Sequence, residues 1–310
     1  MSKDFLDIAD FSGQEIEQLL DLAKRLKTHL QTGGNAPLLK GKVLAMIFQK
    51  PSLRTRVSFD VAMRQLGGDA LYLSPAEIGL GQREAISDVA RVLSGYVSAI
   101  MARVFAHEHV LELAHWATVP VINGLSDYSH PCQALADALT LDEHFGGLKH
   151  LNVTFIGDAN NVARSLMQIC TKLGANFSIA SPGGYQFDAE SIHQAEKLAH
   201  ESGAHTTFLE DPWAAVHDAD VIYTDTWVSM GSESEAETRQ HAFAAYQVNT
   251  QLLASAKPGC VVMHCLPAHR GQEITDDVMD GPQSLIFQQA ENRLHAQKAI
   301  LVNLFEEVIL

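Results

Sequence analysis

Lys42-Val43-Leu44-Ala45-Met46-Ile47-Phe48, followed after one residue by Lys50-Pro51-Ser52-Leu53-Arg54-Thr55-Arg56, reads as a strand that hands the chain straight to a helix. The unbroken apolar run fits a strand buried on both faces. Arg54 to Leu66 then predicts a helix with Phe59, Met63 and Leu66 on one side, and Ser52 falls near its N-cap. A helix start offers unpaired backbone N–H groups and the positive end of the macrodipole, so an anion docked there gains hydrogen bonds and a favourable field together. A lone Ser-x-Arg would read as a capped helix with a surface arginine. Ser, Arg, Thr and Arg within five residues favour a phosphate site, because guanidinium forks match phosphate geometry.

Outward from this junction, short apolar and β-branched runs alternate with helical patterns. A capping box at Ser12-Gly13-Gln14-Glu15 opens a first helix with an apolar stripe through Ile16, Leu19, Leu20, Ala23, Leu26 and Leu30, ending near Gly33-Gly34. Strands are expected at 42–48, 69–73, 98–101 and 120–123, with helices to 66, from Ser87, from Glu108 and from Pro131. After Phe145-Gly146-Gly147 the rhythm restarts with strands at 151–156, 176–180, 221–224, 260–264 and 284–287 and helices from Asn161 and over 190–202. This is the signature of parallel βαβ units. The expected fold is α/β: two domains, each a parallel β-sheet flanked by helices, joined by long helices. The boundaries are 1–146 and 147–290, with 291–310 an amphipathic helix, carrying Leu294, Leu301, Leu304 and Val308 on its face, that packs back on the first domain. The acidic, serine-rich run 231–240 reads as an exposed loop entering a helix, placed where a lid could form.

A chain of 310 residues is longer than one core usually grows, which agrees with two domains. Its 46% apolar and 19% charged residues are ordinary for a globular protein. The net charge of -15 argues against nucleic acid or an anionic membrane as partner. Screening acts over roughly 8 Å at physiological salt, so clustered arginines still dominate their own neighbourhood. Cys132, Cys170, Cys260 and Cys265 are widely spread without a C-x-x-C pair, which points to free thiols in a reducing compartment. The N-terminus lacks the apolar core of a signal peptide and no run of 18 apolar residues occurs, so a cytoplasmic location is expected.

Four constellations fall at expected strand ends, where ligands bind in open parallel sheets. Arg103 lies just past the strand at 98–101. His130-Pro131-Cys132-Gln133 opens a helix with proline at the first helical position, so a histidine and a glutamine face a strand's carboxyl end. Asp225-Thr226-Trp227-Val228-Ser229-Met230-Gly231 puts a carboxylate suited to an ammonium group, a hydroxyl and a thioether at one rim. His264-Cys265-Leu266-Pro267-Ala268-His269 leaves the last site open to three readings: a zinc site short of the usual four ligands, a cysteine nucleophile, or a polar pocket wall. Gly157-Asp158-Ala159-Asn160-Asn161 also joins a strand to a helix, yet lacks the glycines of a dinucleotide fingerprint. Its asparagines suit a carboxylate or an amino-acid backbone instead.

Taken in order along one chain, Ser52-Leu53-Arg54-Thr55-Arg56, His130-Pro131-Cys132-Gln133, Asp225 to Gly231 and His264-Cys265-Leu266-Pro267 resemble the aspartate/ornithine carbamoyltransferase family. The first two motifs are shared across it, and the Ser-Met-Gly and His-Cys-Leu-Pro motifs select its ornithine branch. The likeness extends from the first helix to Ala290-Glu291-Asn292-Arg293. It implies an enzyme of arginine metabolism that transfers the carbamoyl group of carbamoyl phosphate to the side-chain amine of L-ornithine, giving L-citrulline and phosphate. By likeness, Ser52, Leu53, Arg54 and Thr55 hold the phosphate, Arg103, His130 and Gln133 reach the carbamoyl group, and Cys265, Leu266 and Arg293 complete that pocket. Asn161, Asp225, Ser229 and Met230 bind ornithine, and Arg103, His130 and Cys265 are the catalytic set. The family implies no metal and no cofactor, and a homotrimer or a multiple of trimers. One departure is Gly79-Leu80-Gly81-Gln82, where many relatives carry glutamine or histidine at the position of Gly79 in a loop that a neighbouring subunit can receive; Gln82 is the nearest substitute.

The residues support that chemistry on their own terms. An amine attacks the carbamoyl carbon, charge grows on the carbonyl oxygen, and Thr55, Arg103, His130 and Gln133 can donate to it. Arg54 and Arg56 can offset charge on the departing phosphate. An alkyl ammonium with a pKa of about 10.4 costs roughly 4 kcal/mol to present as free amine at neutral pH. Asp225 favours the charged form, so its expected role is orientation, with Cys265 steering the reacting amine. Rival readings are a carbamoyltransferase for putrescine or another amine, which would have no use for groups that recognise an α-amino and α-carboxylate, and a non-catalytic ligand-binding homologue.

Overall fold

The computed structural model describes residues 4–228 and 233–305. Contacts divide the chain into two compact units: residues up to Leu139 together with those from Glu291, and Thr140–Ala290. The division falls inside a helix rather than at Gly146.

The first unit contains α1 (Gly13–Thr32), β1 (Val43–Phe48), α2 (Leu53–Gln65), β2 (Asp69–Leu73), α3 (Pro75–Ile78), α4 (Ile86–Ser94), β3 (Ala99–Arg103), α5 (His107–Trp116) and β4 (Val121–Leu125). Helix α6 (Pro131–Phe145) carries the chain into the second unit. There follow β5 (Asn152–Ile156), α7 (Asn161–Lys172), β6 (Asn176–Ala180), α8 (Ala189–Ser202), β7 (Thr206–Leu209), α9 (Pro212–Val216), β8 (Val221–Thr224), α10 (Ala236–Phe243), α11 (Thr250–Ala254), β9 (Val261–His264) and α12 (Asp276–Met279). Helix α13 (Ile286–Leu304) returns to the first unit.

Both sheets are parallel and helix-flanked. The first has the order β2-β1-β3-β4, with Val43 opposite Asp69 and Phe48 opposite Arg103. Phe5 bridges to Ile122 and extends this sheet beyond β4, while Ser129 donates from its hydroxyl to Asp7 Oδ1 at 2.9 Å. The second sheet has the order β7-β6-β5-β8-β9. In each, the chain reverses its winding once, between β1 and β3 and between β5 and β8. The carboxyl ends of those strands are where a ligand crevice opens.

The periodicity behind these elements is visible in what they bury. The capping box of α1 is formed, with Glu15 N–H donating to Ser12 Oγ at 3.2 Å and Ser12 N–H to Glu15 Oε2 at 2.8 Å. Ile16, Leu19, Leu20, Ala23 and Leu26 are buried beneath it, and Phe59, Met63 and Leu66 are fully buried under α2. Strands β3 and β4 shift register between Ala102, opposite Asn123, and Arg103, opposite Leu125, so Gly124 is the extra residue of a bulge in β4. A Cβ on Gly124 would come within 2.5 Å of Met101 Sδ and 3.2 Å of the Ala102 carbonyl oxygen, so the close approach of the two strands favours glycine there.

Two expectations need correction. Ser284–Phe287 is not a strand: Ser284 makes one isolated bridge to Val262 and α13 starts at Ile286. The apolar run Leu285-Ile286-Phe287 fits either element, and here it is the first turn of the long helix. That helix is also no one-sided amphipath. Leu294 and Leu304 are only half-buried, Val308 lies outside the described residues, and His295, Gln297 and Lys298 are buried with the apolar side chains. Strand β7 escaped the sequence reading because its Thr-Thr-Phe-Leu, half-exposed at the sheet edge, shows no apolar run.

Lys298 is fully buried on α13 and donates to Asn35 Oδ1 at 2.8 Å, while Asn35 Nδ2 donates to the Leu26 carbonyl at 2.7 Å. Burial pushes its ammonium pKa down from 10.5 to about 8. Between those values the unfolded chain holds a proton that the folded chain has released, so this group makes stability rise with pH across that window. Thermal melts of wild type and Lys298→Met from pH 7 to 10.5 are expected to shift in favour of wild type as pH rises above 8. A pH-independent difference would exclude this contribution.

Candidate functional site

In the first unit, five polar side chains named by the sequence are buried: Thr55, Arg103, His130, Gln133 and Arg293. Thr55 stands on the first turn of α2, Arg103 at the end of β3 beside the β4 bulge, His130 and Gln133 at the start of α6, and Arg293 on α13. Arg293 ties three of these elements together. Its Nη1 donates to Gln133 Oε1 at 2.7 Å and its Nη2 to Thr55 Oγ1 at 3.2 Å. Gln133 Nε2 in turn donates to the buried Asp137 Oδ1 at 2.8 Å, one turn along α6. Asp137 was missed by sequence reading, although its i,i+4 spacing from Gln133 on a recognised helix was a usable signal.

His130 is held neutral. Burial first, then the positive fields of Arg293 and Arg103, lower its pKa well below the ordinary 6.5. A neutral imidazole beside two guanidinium groups can donate one hydrogen bond while keeping its other nitrogen an acceptor. Cys132, next in sequence, is not reactive: burial pushes its thiol up to about 12 and its Sγ donates to the Asn123 carbonyl at 3.3 Å.

Around this cluster lies the strand-to-helix junction. Ser52 occupies the N-cap of α2 in extended backbone, yet its hydroxyl makes no bond to the helix it caps. That departs from ordinary capping and leaves the oxygen available to a ligand. Arg54 is half-buried and Leu53 exposed. Arg56 points elsewhere, with its guanidinium 4.0 Å from the ring centre of Tyr72. It is therefore not a member of the anion site that the five-residue motif suggested.

In the second unit the winding reversal lies between β5 and β8, and Asp225 follows β8. It is buried and accepts from three directions: Asn160 Nδ2 at 2.9 Å, Cys265 Sγ at 3.0 Å and Thr226 N–H at 2.8 Å. The asparagine on Asp225 is thus Asn160, the N-cap of α7, whereas Asn161 Oδ1 accepts from Val162 N–H at 3.0 Å. Leu266 follows Cys265 with φ +60° and a cis bond to Pro267. Asp158, after β5, is bound by Arg239 Nη1 at 2.6 Å; burial raises its carboxyl pKa, opposed by that arginine. Arg239 also donates to the Trp227 carbonyl at 3.2 Å, which anchors α10 beside the end of the described loop. Ser229 and Met230 lie outside the described residues.

Asp225, His264 and Cys265 bring potential metal-ligand atoms within 4.8 Å of one another. The donor set does not suit zinc. His264 Nδ1 accepts from Leu266 N–H at 2.9 Å and Nε2 faces Glu273 Oε1 at 3.1 Å, so neither nitrogen keeps a lone pair for a cation. The thiol's bond to Asp225 likewise fits the polar pocket wall better than a nucleophile, because a carboxylate is too weak a base to draw a proton from a thiol.

Fold and side chains together define a two-unit α/β protein with a buried arginine cluster in one unit and a carboxylate–thiol cluster in the other, both at parallel-sheet crossover ends. Comparison with known proteins carries the assignment further. Residues 3–143 match the family model described as the carbamoyl-P binding domain of aspartate/ornithine carbamoyltransferase, and residues 149–304 match its Asp/Orn binding domain. An ornithine carbamoyltransferase of Anoxybacillus flavithermus is 56% identical over 302 residues, covering 97% of this chain and 96% of that protein. One from Pyrococcus furiosus, named as anabolic, is 57% identical over 299 residues, covering 96% and 95%. The solved structure of the Pyrococcus furiosus ornithine carbamoyltransferase superposes with a TM-score of 0.94 at 57% identity, covering 96% of this chain and 95% of that one. That of the Thermus thermophilus enzyme gives 0.89 at 45%, covering 98% and 99%. The chain belongs to the aspartate/ornithine carbamoyltransferase family.

Because His130 is neutral when folded and protonated more readily when unfolded, its contribution to stability is present above pH 6.5 and is lost as pH falls below it toward the folded pKa. Denaturant melts of wild type and His130→Asn between pH 7.5 and 5 are expected to show a shallower acid loss in the variant. Parallel curves would place the acid sensitivity in other groups.

Proposed function

We propose that this enzyme transfers the carbamoyl group of carbamoyl phosphate to the side-chain amine of L-ornithine, releasing L-citrulline and phosphate, in the direction of arginine biosynthesis. The observation that carries this reading is the buried set of Thr55, Gln133 and Arg293 joined by hydrogen bonds beside Arg103 and a neutral His130. Such a set is built for a ligand that joins a dianion to a polarised carbonyl. The relatives named for ornithine favour that acceptor over putrescine or a non-catalytic role.

In the first unit, Ser52, the Leu53 backbone, Arg54 and Thr55 take the phosphate, with Arg293 adding its charge. Arg103, His130 and Gln133 donate to the carbonyl oxygen. As the amine attacks, charge grows on that oxygen and then passes to the departing phosphate. Donors already fixed by burial meet both charges without reorganising. His130 serves as a neutral donor, so it adds no further positive charge to those of Arg54, Arg103 and Arg293 that would hold the product phosphate.

In the second unit, Asn161, Asp225, Ser229 and Met230 take the amino acid, and Cys265 and Leu266 meet its reacting end. Because Cys265 donates its proton to Asp225, it meets an incoming amine as an acceptor through sulfur, together with neighbouring backbone carbonyls. That geometry supports a steering role: the acceptors hold N–H groups of the reacting amine and so fix the direction of its lone pair, while the roughly 4 kcal/mol that deprotonation costs at neutral pH is not lowered by them.

The family likeness implies a homotrimer or a multiple of it, in the cytoplasm. Leu53 (75% exposed) and Val57 (49%) on successive turns of α2, with Leu71 (50%) on the edge strand β2, support an interface on this face. Among the described residues no helix is long and apolar enough to cross a membrane.

Purified protein given carbamoyl phosphate with ornithine, putrescine or aspartate is expected to form a carbamoylated product with ornithine, read as citrulline. No ornithine-dependent citrulline would refute the assignment. Arg103→Gln and His130→Ala should each lower kcat about a hundredfold or more, the scale of a lost oxyanion donor. For Cys265→Ala, a raised ornithine KM and reduced turnover between pH 6 and 9 are expected; unchanged kinetics would remove its steering role. Light scattering on wild type should give a mass that is a multiple of three 33.8 kDa chains, and Leu71→Glu should lower it.

A further inference from the structure

Glu273 has no part in the chemistry above, yet its side chain is fully buried in the second unit and grips both ends of the segment that carries Cys265. At one end its Oε1 lies 3.1 Å from His264 Nε2; at the other the same oxygen accepts from His269 N–H at 2.6 Å. His264 passes this constraint on. Its Nδ1 accepts from Leu266 N–H at 2.9 Å, which requires the ring proton to sit on Nε2 and to be donated to Glu273. Leu266 is thereby held at φ +60°, a left-handed conformation that a side-chain-bearing residue adopts only when its surroundings impose it. The turn so formed leaves Cys265 Sγ 3.0 Å from Asp225 Oδ1.

The backbone of His264 is fixed as well. Its N–H donates to Gln289 Oε1 at 2.9 Å, and Gln289 Nε2 donates to the Tyr223 hydroxyl at 3.0 Å. With the strand end anchored there, the ring of His264 links Glu273 to the Leu266 amide. Thr226 Oγ1 lies 2.9 Å from His269 Nδ1, so the far end of the segment also returns to the loop that bears Asp225.

We infer that Glu273 is a positioning residue for Cys265 and Leu266, acting through the Nε2–H tautomer of His264. The inference rests on the reading that these two residues meet the reacting end of ornithine. Glutamine at position 273 can still accept from both His264 Nε2–H and His269 N–H, whereas alanine can accept from neither.

The full-length protein offers a direct readout, because Cys132, Cys170 and Cys260 are buried and Cys265 is the partly exposed thiol. Iodoacetamide labelling of Cys265, followed by peptide mass spectrometry, is expected to speed up about tenfold in Glu273→Ala and to return near the wild-type rate in Glu273→Gln. In the same alanine variant the ornithine KM should rise on the order of tenfold, while the affinity for inorganic phosphate holds and reports an intact first unit. Should the alanine variant fail to fold, two-bond proton–nitrogen correlation on wild-type protein with labelled histidine decides the matter, the His264 signals being assigned by their loss in His264→Gln. An Nδ1–H tautomer there, or equal labelling rates in wild type and Glu273→Ala, would overturn the inference. Faster labelling with an unchanged ornithine KM would leave the clamp standing and instead remove Cys265 and Leu266 from the acceptor pocket.

Discussion

Burying two guanidinium groups within reach of one histidine is the constraint from which the first unit's chemistry follows. Arg103 and Arg293 are each less than a tenth exposed, and charges taken out of water are costly unless their surroundings are polar and ordered. The surroundings answer with fixed oxygens: Thr55 Oγ1 and Gln133 Oε1 accept from Arg293, and Gln133 is oriented in turn by Asp137. The same positive field, added to burial, keeps His130 neutral. The result is a preorganised cationic pocket whose members come from α2, β3, α6 and α13 and hold one another in place. An anionic donor entering such a pocket replaces water with dipoles that are already aimed.

The second unit meets a different requirement with the same topological device. Where β5 and β8 part, Asp225 is surrounded by donors, so its carboxylate has a fixed direction for an ammonium or amide to approach. Its third partner is a thiol on a turn held in a left-handed conformation by a buried histidine. A flexible loop could carry the same residues, but it would not keep a sulfur and a carboxylate at 3.0 Å against thermal motion. Rigidity here comes from polar groups, because a turn at a sheet end has little apolar surface to bury.

Much of this was legible in the sequence because it follows from local pattern. The apolar run Val43–Phe48, the capping box at Ser12 and the proline opening α6 each specify an element with few alternatives, and the site residues named from motifs stand at the ends of those elements. What failed was decided by tertiary neighbours. Leu285-Ile286-Phe287 has no periodicity that separates strand from helix, and only the long helix behind it resolves the choice. Arg56 shares a motif with Arg54 but lies two positions on along a helix, so it faces away and finds Tyr72. Asn160 and Asn161 are adjacent and chemically identical, and only the geometry of the N-cap tells which amide reaches Asp225. Glu273 carried no signal at all, since a glutamate nine residues from a histidine has no local reason to meet it.

The acidic balance of the chain and its cationic pocket are compatible for one physical reason. A net charge of -15 repels an anion at long range, but that repulsion is screened within roughly 8 Å in physiological salt, whereas a buried guanidinium acts through a medium of lower effective dielectric. Inside the pocket the local term is therefore the larger of the two. Outside it, the acidic surface discourages polyanions that could otherwise compete for arginines, such as nucleic acids, which need an extended basic face and find none in the overall charge. Depth adds to this: Arg103 and Arg293, each less than a tenth exposed, offer a bulky polyanion little guanidinium surface to meet.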